Sequence, residues 1–299
     1  MRKLTPAIGL VVLALLASGC GVAPGEAVSQ DSAKLAAREA RLAQKLSTRD
    51  STNSGEPVAL WVMPKALFEI SGIALTPDQR MFGHNDERAA ISEIDYRKGF
   101  VVKQFLVGKK NTIRGDFEAM SVVGDRFFLL TSKGEIFEFR EGKAGERVDF
   151  TAHDTKLGKE CEFEGLGFDP AINSLLLACK HVLSTELQGS MVIYRWNISE
   201  GVDKVSTLSI PIESAKGSNG WKDFEPSDIT VDPAGNYVVI ASQQQGMVVL
   251  TPAGVVVSSR SLPAGHEMAE GVAVTKDSIL IISDEATKKP AAVTLYRWP

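Results

Sequence analysis

The 299-residue chain has only three cysteines and four histidines, carries no excess of basic charge, and has no long apolar run after its first residues. Each shortage removes a class of protein. Three cysteines cannot staple a disulfide scaffold, and His84, His153, His181 and His266 lack the spacing of a zinc site. A formal charge of −4 argues against sequence-independent nucleic-acid binding, which needs a basic face. No Gly-x-Ser-x-Gly elbow occurs, and no Ser, His and Asp set follows from linear order.

What the chain has is repetition. Ser71-Gly72-Ile73, Glu118-Ala119-Met120, Glu164-Gly165-Leu166, Ser227-Asp228-Ile229 and Glu270-Gly271-Val272 each join an acidic or hydroxyl residue to an apolar one two places on. Their intervals lie close to the ~40–50 residues of one four-stranded propeller blade, with a longer step before Ser227. A turn phrase and a second hydrophobic strand follow, as in GLGFDP then NSLLLACKH, where Asp-Pro and Gly-Asn pairs punctuate hairpins. Third strands such as MVIYRW and AVTLYRW come next, and the recurring Tyr-Arg-Trp reads as blade packing. Fourth strands follow in the first four repeats, and the last lacks one. An all-β, five-bladed β-propeller is expected, with Val58 to Met63 as the N-terminal strand that closes the last blade. The segment Ser214 to Gly220 reads as a surface loop.

The N-terminus has a separate message. Arg2 and Lys3 precede an apolar run, Ala7 to Ala17, of signal-peptide length. The following Leu16-Ala17-Ser18-Gly19-Cys20 resembles the bacterial lipoprotein box, with Ala17 where Leu is usual. The resemblance implies a signal peptide over 1–19, lipidation of Cys20 and a membrane anchor; Gly21 after it favours the outer membrane, facing the periplasm. Residues 20–56 read as a tether in which Leu35, Leu42 and Leu46 share one stripe, either a flexible spacer or a short helix that docks a partner. The propeller is expected over 57–299. Cys161 and Cys179 lie near the open ends of one hairpin, where an oxidising compartment permits a bridge and two buried thiols are the alternative.

First strands of propeller blades line the central channel, so Glu118, Glu164 and Glu270 should converge on the axis, with Ser71 and Ser227 at the two other positions. Three carboxylates in one channel repel and raise one another's pKa unless a positive charge sits among them. Ca²⁺ answers that need, since it accepts six to eight oxygen ligands in flexible geometry. Strand alternation adds Glu69, Asp116, Glu162 and Glu225 at the mouth, Asp228 is placed to turn in, and Asp86 and Asp284 close second strands. The alternative for the axial glutamates is a solvated channel mouth with shared protons and waters.

The ordered phrases EISGIAL, DFEAMSV, EFEGLGFDP, EPSDITVDP and AEGVAV resemble the SdiA-regulated domain family over about residues 57 to 299. That resemblance implies a five-bladed propeller with bound calcium and assigns Glu118, Glu164 and Glu270 to the family's E-G openings. Ala119 departs from the Gly of that pattern and leaves the ligand side chain in place. The family implies no particular reaction. Two functions therefore follow as expectations. One is a non-catalytic cell-envelope lipoprotein whose calcium-stiffened face binds a protein or small-molecule ligand. The other is a calcium-dependent hydrolase of phytase-like, esterase-like or lactonase-like type, for which Lys109, Lys110 and Arg114 would be the nearest basic rim.

Overall fold

The computed structural model describes residues 32–48 and 55–299. The signal peptide and Cys20 expected from the sequence lie outside the described residues. Five antiparallel four-stranded units follow one another around the chain, one of them with a short parallel fifth strand. Blade 1 runs Ile70–Leu75, Met81–Asn85, Ala90–Asp95 and Phe100–Val107, and Arg147–Val148 is its added strand. Blade 2 is Phe117–Val123, Arg126–Thr131, Glu135–Arg140 and Phe150–Asp154. Blade 3 is Cys161–Asp169, Ser174–Val182, Ser190–Asn197 and Val205–Pro211, and blade 4 is Asp228–Val231, Tyr237–Ala241, Gly246–Leu250 and Val256–Ser261.

Blade 5 consists of Ala269–Val274, Ile279–Asp284 and Ala292–Arg297, and its outer strand comes from the other end of the chain. Ala59–Val62 pairs antiparallel with Ala292–Arg297, Trp61 opposite Val293. The propeller and its closing strand are thus as the repeat implied. Borrowing the strand ties the ring shut and pairs an edge that would otherwise be open.

Second strands are the most buried, and in blades 4 and 5 they are so throughout: all six residues of Ile279–Asp284 and all five of Tyr237–Ala241 are buried. Both faces of a blade pack on neighbours, so near-continuous apolar runs replace alternation. Five apolar cores result, one at each junction between blades. Between blades 1 and 2, for example, Phe82, Phe105, Phe127 and Phe139 meet edge-on or stacked. The Trp residues of the two Tyr-Arg-Trp phrases are structural, Trp196 in the blade 2–3 core and Trp298 in the blade 4–5 core. Turn acids also cross between blades, since Tyr237 Oη donates to Asp169 Oδ2 at 2.6 Å and Trp298 Nε1 donates to Asp232 Oδ2 at 3.3 Å.

Two segments differ from a simple reading of the sequence. The expected loop at Ser214 to Gly220 begins inside a short helix, Ile212–Lys216, because Ala215 is fully buried and Ser259 Oγ donates to its carbonyl at 2.7 Å. Within the expected tether, Ser32–Ser47 is a helix lying against the propeller. Leu42 is buried in the blade 5–1 core, Arg38 donates to Lys98 O at 2.9 Å, and its guanidinium stacks 5.3 Å over Trp61. An apolar stripe too thin to support a free helix suffices when a core is there to receive it. Among the described residues no helix is long and apolar enough to cross a membrane.

Candidate functional site

Four of the five innermost strands open with the same irregularity. Phe117 pairs with Thr131 and Ala119 with Leu130, so Glu118 stands between them without a partner. Ser71, Glu164 and Glu270 are skipped in the same way in blades 1, 3 and 5. In blade 4 the Ser227 N–H donates to Ile240 O, although Ile240 is already the partner of Asp228. A bulge frees one residue from the ladder and re-aims its side chain. Repeated around the ring, it brings Glu118, Glu164 and Glu270 from three blades close enough to feel one another's charge.

The small residue after each bulge has its own cause. A Cβ at Gly271 would fall 2.9 Å from Ile73 N of the neighbouring blade, and one at Gly165 would fall 3.0 Å from Asp228 Cα. Inner strands touch backbone to backbone here, and Gly or Ala is what fits. Blade 4 alone puts a large side chain, Asp228, at that position. Its carboxylate fills the space its neighbours leave: Oδ2 accepts from Val272 N–H at 2.7 Å, and Oδ1 from Ile229 N–H at 2.8 Å and Leu166 N–H at 3.4 Å. Burial pushes its pKa well up while the three N–H groups oppose that rise. Asp228 is therefore a keystone joining blades 3, 4 and 5. The expectation that it turns toward a metal is corrected, because both oxygens are committed to backbone.

Lys180 is the residue that sequence reasoning missed. It sits on the second strand of blade 3, is itself skipped between Cys179 and His181, and donates from Nζ to Glu164 Oε1. It also feels Glu118 and Glu270. Burial lowers its pKa, but the hydrogen bond and charge of Glu164 outweigh that and leave it raised. A charged residue ending the run LLLACK, in the hairpin that carries Glu164, was the available signal.

One ammonium does not balance three carboxyls. Burial, followed by the charges of Glu164 and Asp116, pushes Glu118 up to about 8. Burial and then Glu164 push Glu270 up to about 8, against the pull of Lys180 and Ser242. Glu164 is raised by burial and held back by Lys180. Two carboxyls thus stand near neutral pKa beside a fixed ion pair.

The remaining candidates lie around this group rather than in it. Glu69 accepts from Asn85 Nδ2 at 2.9 Å. Asp86 is raised first by burial and then, against the Glu87 N–H, by Glu69. With Glu285, raised by burial and by Asp86 and Glu69, they form a second acidic group that also feels Glu164. Counting by two along the strand fails here because the bulge intervenes. Asp116 accepts from Ser132 Oγ at 2.6 Å and Glu162 is exposed. Ser227 Oγ donates to Ala269 O at 2.6 Å. Cys161 and Cys179 are joined by a disulfide, with Cα atoms 5.7 Å apart, across the two strands of the hairpin that carries Glu164 and Lys180.

The donor set consists of carboxylate and hydroxyl oxygens, the chemistry of a hard cation. Among the described residues, however, no three His, Cys, Asp or Glu side chains are grouped tightly enough to hold an ion as they stand. Lys180 supplies the positive charge the glutamates require. Calcium fits these residues only with the Lys180 ammonium moved off Glu164.

No family model matches the chain, and no curated protein sequence matches it. Solved structures do. The glutaminyl cyclase of Myxococcus xanthus superposes with a TM-score of 0.57 at 12% identity, covering 82% of this chain and 97% of that one. A luciferin-regenerating enzyme gives 0.50 at 9% identity over 81% and 95%. At such identities the likeness is one of fold alone: the chain is a five-bladed β-propeller.

Proposed function

We propose that this chain is a non-catalytic binding module of the cell envelope, held to the membrane through lipidated Cys20, whose axial mouth is a carboxyl-lined receptor that takes up cations in exchange for protons. The observation that carries this reading is the ring of bulge-borne Glu118, Glu164 and Glu270, which one lysine only partly neutralises. Ca²⁺ is the proposed ion, and Lys180 is its tethered competitor. When bound, calcium would neutralise and stiffen the mouth; Glu118 and Glu270 would hold it, with Glu164 joining once Lys180 leaves. The sequence phrases that resemble those of the SdiA-regulated domain family support the same reading, as does the lipoprotein-like leader.

A second reading is favoured by one feature. Carboxyls with pKa near 8 can give and take protons at neutral pH, which suits the calcium-dependent hydrolase alternative. One pair of proteins tests both readings. Calorimetric titration of Ca²⁺ into wild type and Lys180→Gln should show at least ~10-fold tighter binding in the variant, equal to ~1.4 kcal/mol, and no turnover of phosphate-ester, ester or lactone substrates by either. Equal affinities would remove Lys180 as the competitor, and no binding to either protein would refute calcium as the ligand, whereas calcium-dependent turnover would favour the hydrolase.

A further inference from the structure

A second site lies on blade 5, on the face turned toward blade 4, with the acidic group of Glu285 on its wall. The closing strand leaves Leu60 and Val62 55% and 58% exposed, although both are apolar. They stand opposite Thr294 and Ala292. Thr294 in turn pairs with Ile282 of the blade 4–5 core, so Leu60 and Val62 share the face of blade 5 turned toward blade 4. Here that face has no apolar cover. Together with Met268 and Pro290 they line a groove of about 200 Å³, smaller than the ~300–1,000 Å³ of a drug-sized pocket.

The wall of this groove contains an unmet acceptor. Asp284 is 9% exposed; its Oδ2 lies 2.7 Å from His266 Nδ1, while its Oδ1 is buried with no hydrogen-bond partner. His266 Nε2 lies 2.8 Å from Tyr296 Oη. With the imidazole proton on Nδ1, Tyr296 O–H donates to Nε2 and Nδ1–H donates to Asp284, so every donor of the buried trio is used. Nothing in the trio can serve Oδ1. A desolvated carboxylate oxygen lacking a donor is costly, and a donor from outside removes that cost. Neighbouring charge selects the donor's sign. Glu285 and Glu267 are further wall acids, and the wall's basic residue, Lys289, is engaged with Glu267 at 2.6 Å.

We infer that this groove binds a small molecule with an apolar body and a protonated amine, the body on Leu60, Val62 and Pro290 and the ammonium on Asp284. The inference is independent of the axial site. The test is calorimetric titration of the full chain with n-hexylamine, 1-hexanol and hexanoate, with amide chemical-shift mapping of the amine. Hexylamine should bind at least tenfold more tightly than the alcohol or the acid and shift residues around Leu60, Val62 and Met268. Asp284→Asn should lose at least tenfold. Because Asp284→Asn can disturb the buried trio, Val62→Lys at the exposed rim is the second variant, and it should abolish binding. Glu118→Gln should leave amine binding within twofold of wild type. Absence of amine binding, equal binding of the three probes, or binding lost in Glu118→Gln and kept in Val62→Lys would each overturn the site.

Discussion

Asp228 and Lys180 show what a single position can do inside a repeat. Four blades carry Gly or Ala after the bulge, and the fifth carries an acid that takes three backbone N–H groups from three inner strands. Asp228→Ala should cost at least ~3 kcal/mol, since it leaves buried donors of Leu166 and Val272 unpaired, and Asp228→Asn should cost less. Urea denaturation measures both; a change below ~0.5 kcal/mol for the alanine variant would remove Asp228 from the keystone role. At this scale the sequence is half legible. The repeated openings pointed to Glu118, Glu164 and Glu270 because position within a repeat maps to position around an axis. Asp228 was misread because it stands next to the axial serine in sequence, while the bulge sends adjacent residues to different places. Lys180 escaped notice because its partner, Glu164, meets it across a hairpin rather than within a motif.

Strands were the more readable elements, since hydrophobic runs between turn phrases define them with no knowledge of the tertiary fold. The bulges were not readable, because an extra residue in one strand leaves no trace in its own composition. Nor was the seat of the helix Ser32–Ser47. Its stripe of Leu35, Leu42 and Leu46 is visible in the sequence, but the core that receives Leu42 is built from the two ends of the chain, with Val58 and Met63 beside Ile281 and Leu295. Leu42→Ala should therefore destabilise the propeller by about 2 kcal/mol, the low end for a buried leucine, because one face of the side chain borders a surface helix. Thermal or urea unfolding would measure it. A spacer detached from the propeller would tolerate the change within ~0.5 kcal/mol.

For the whole molecule, ring closure turns local features into one electrostatic object. Five cores hold the blades at fixed angles, and the bulges then point acids from blades 2, 3 and 5 at one another. The consequence for stability has a definite sign. A carboxyl whose folded pKa is raised binds its proton more tightly in the folded than in the unfolded chain. The stabilisation from protonated Glu118 and Glu270 is therefore complete below about 4.5 and is lost as pH rises toward and through about 8. Removing Lys180 takes away the charge that restrains this rise, so the loss should still begin near 4.5 but extend to higher pH and grow larger. The most direct measurement is a side-chain carboxyl carbon NMR titration of wild type and Lys180→Gln in the presence of a calcium chelator. Glu118 and Glu270 are expected to titrate near 8 in wild type and higher in the variant. Midpoints near the ordinary 4.5 that do not move when Lys180 is replaced would show three independent surface acids in place of a single coupled ring.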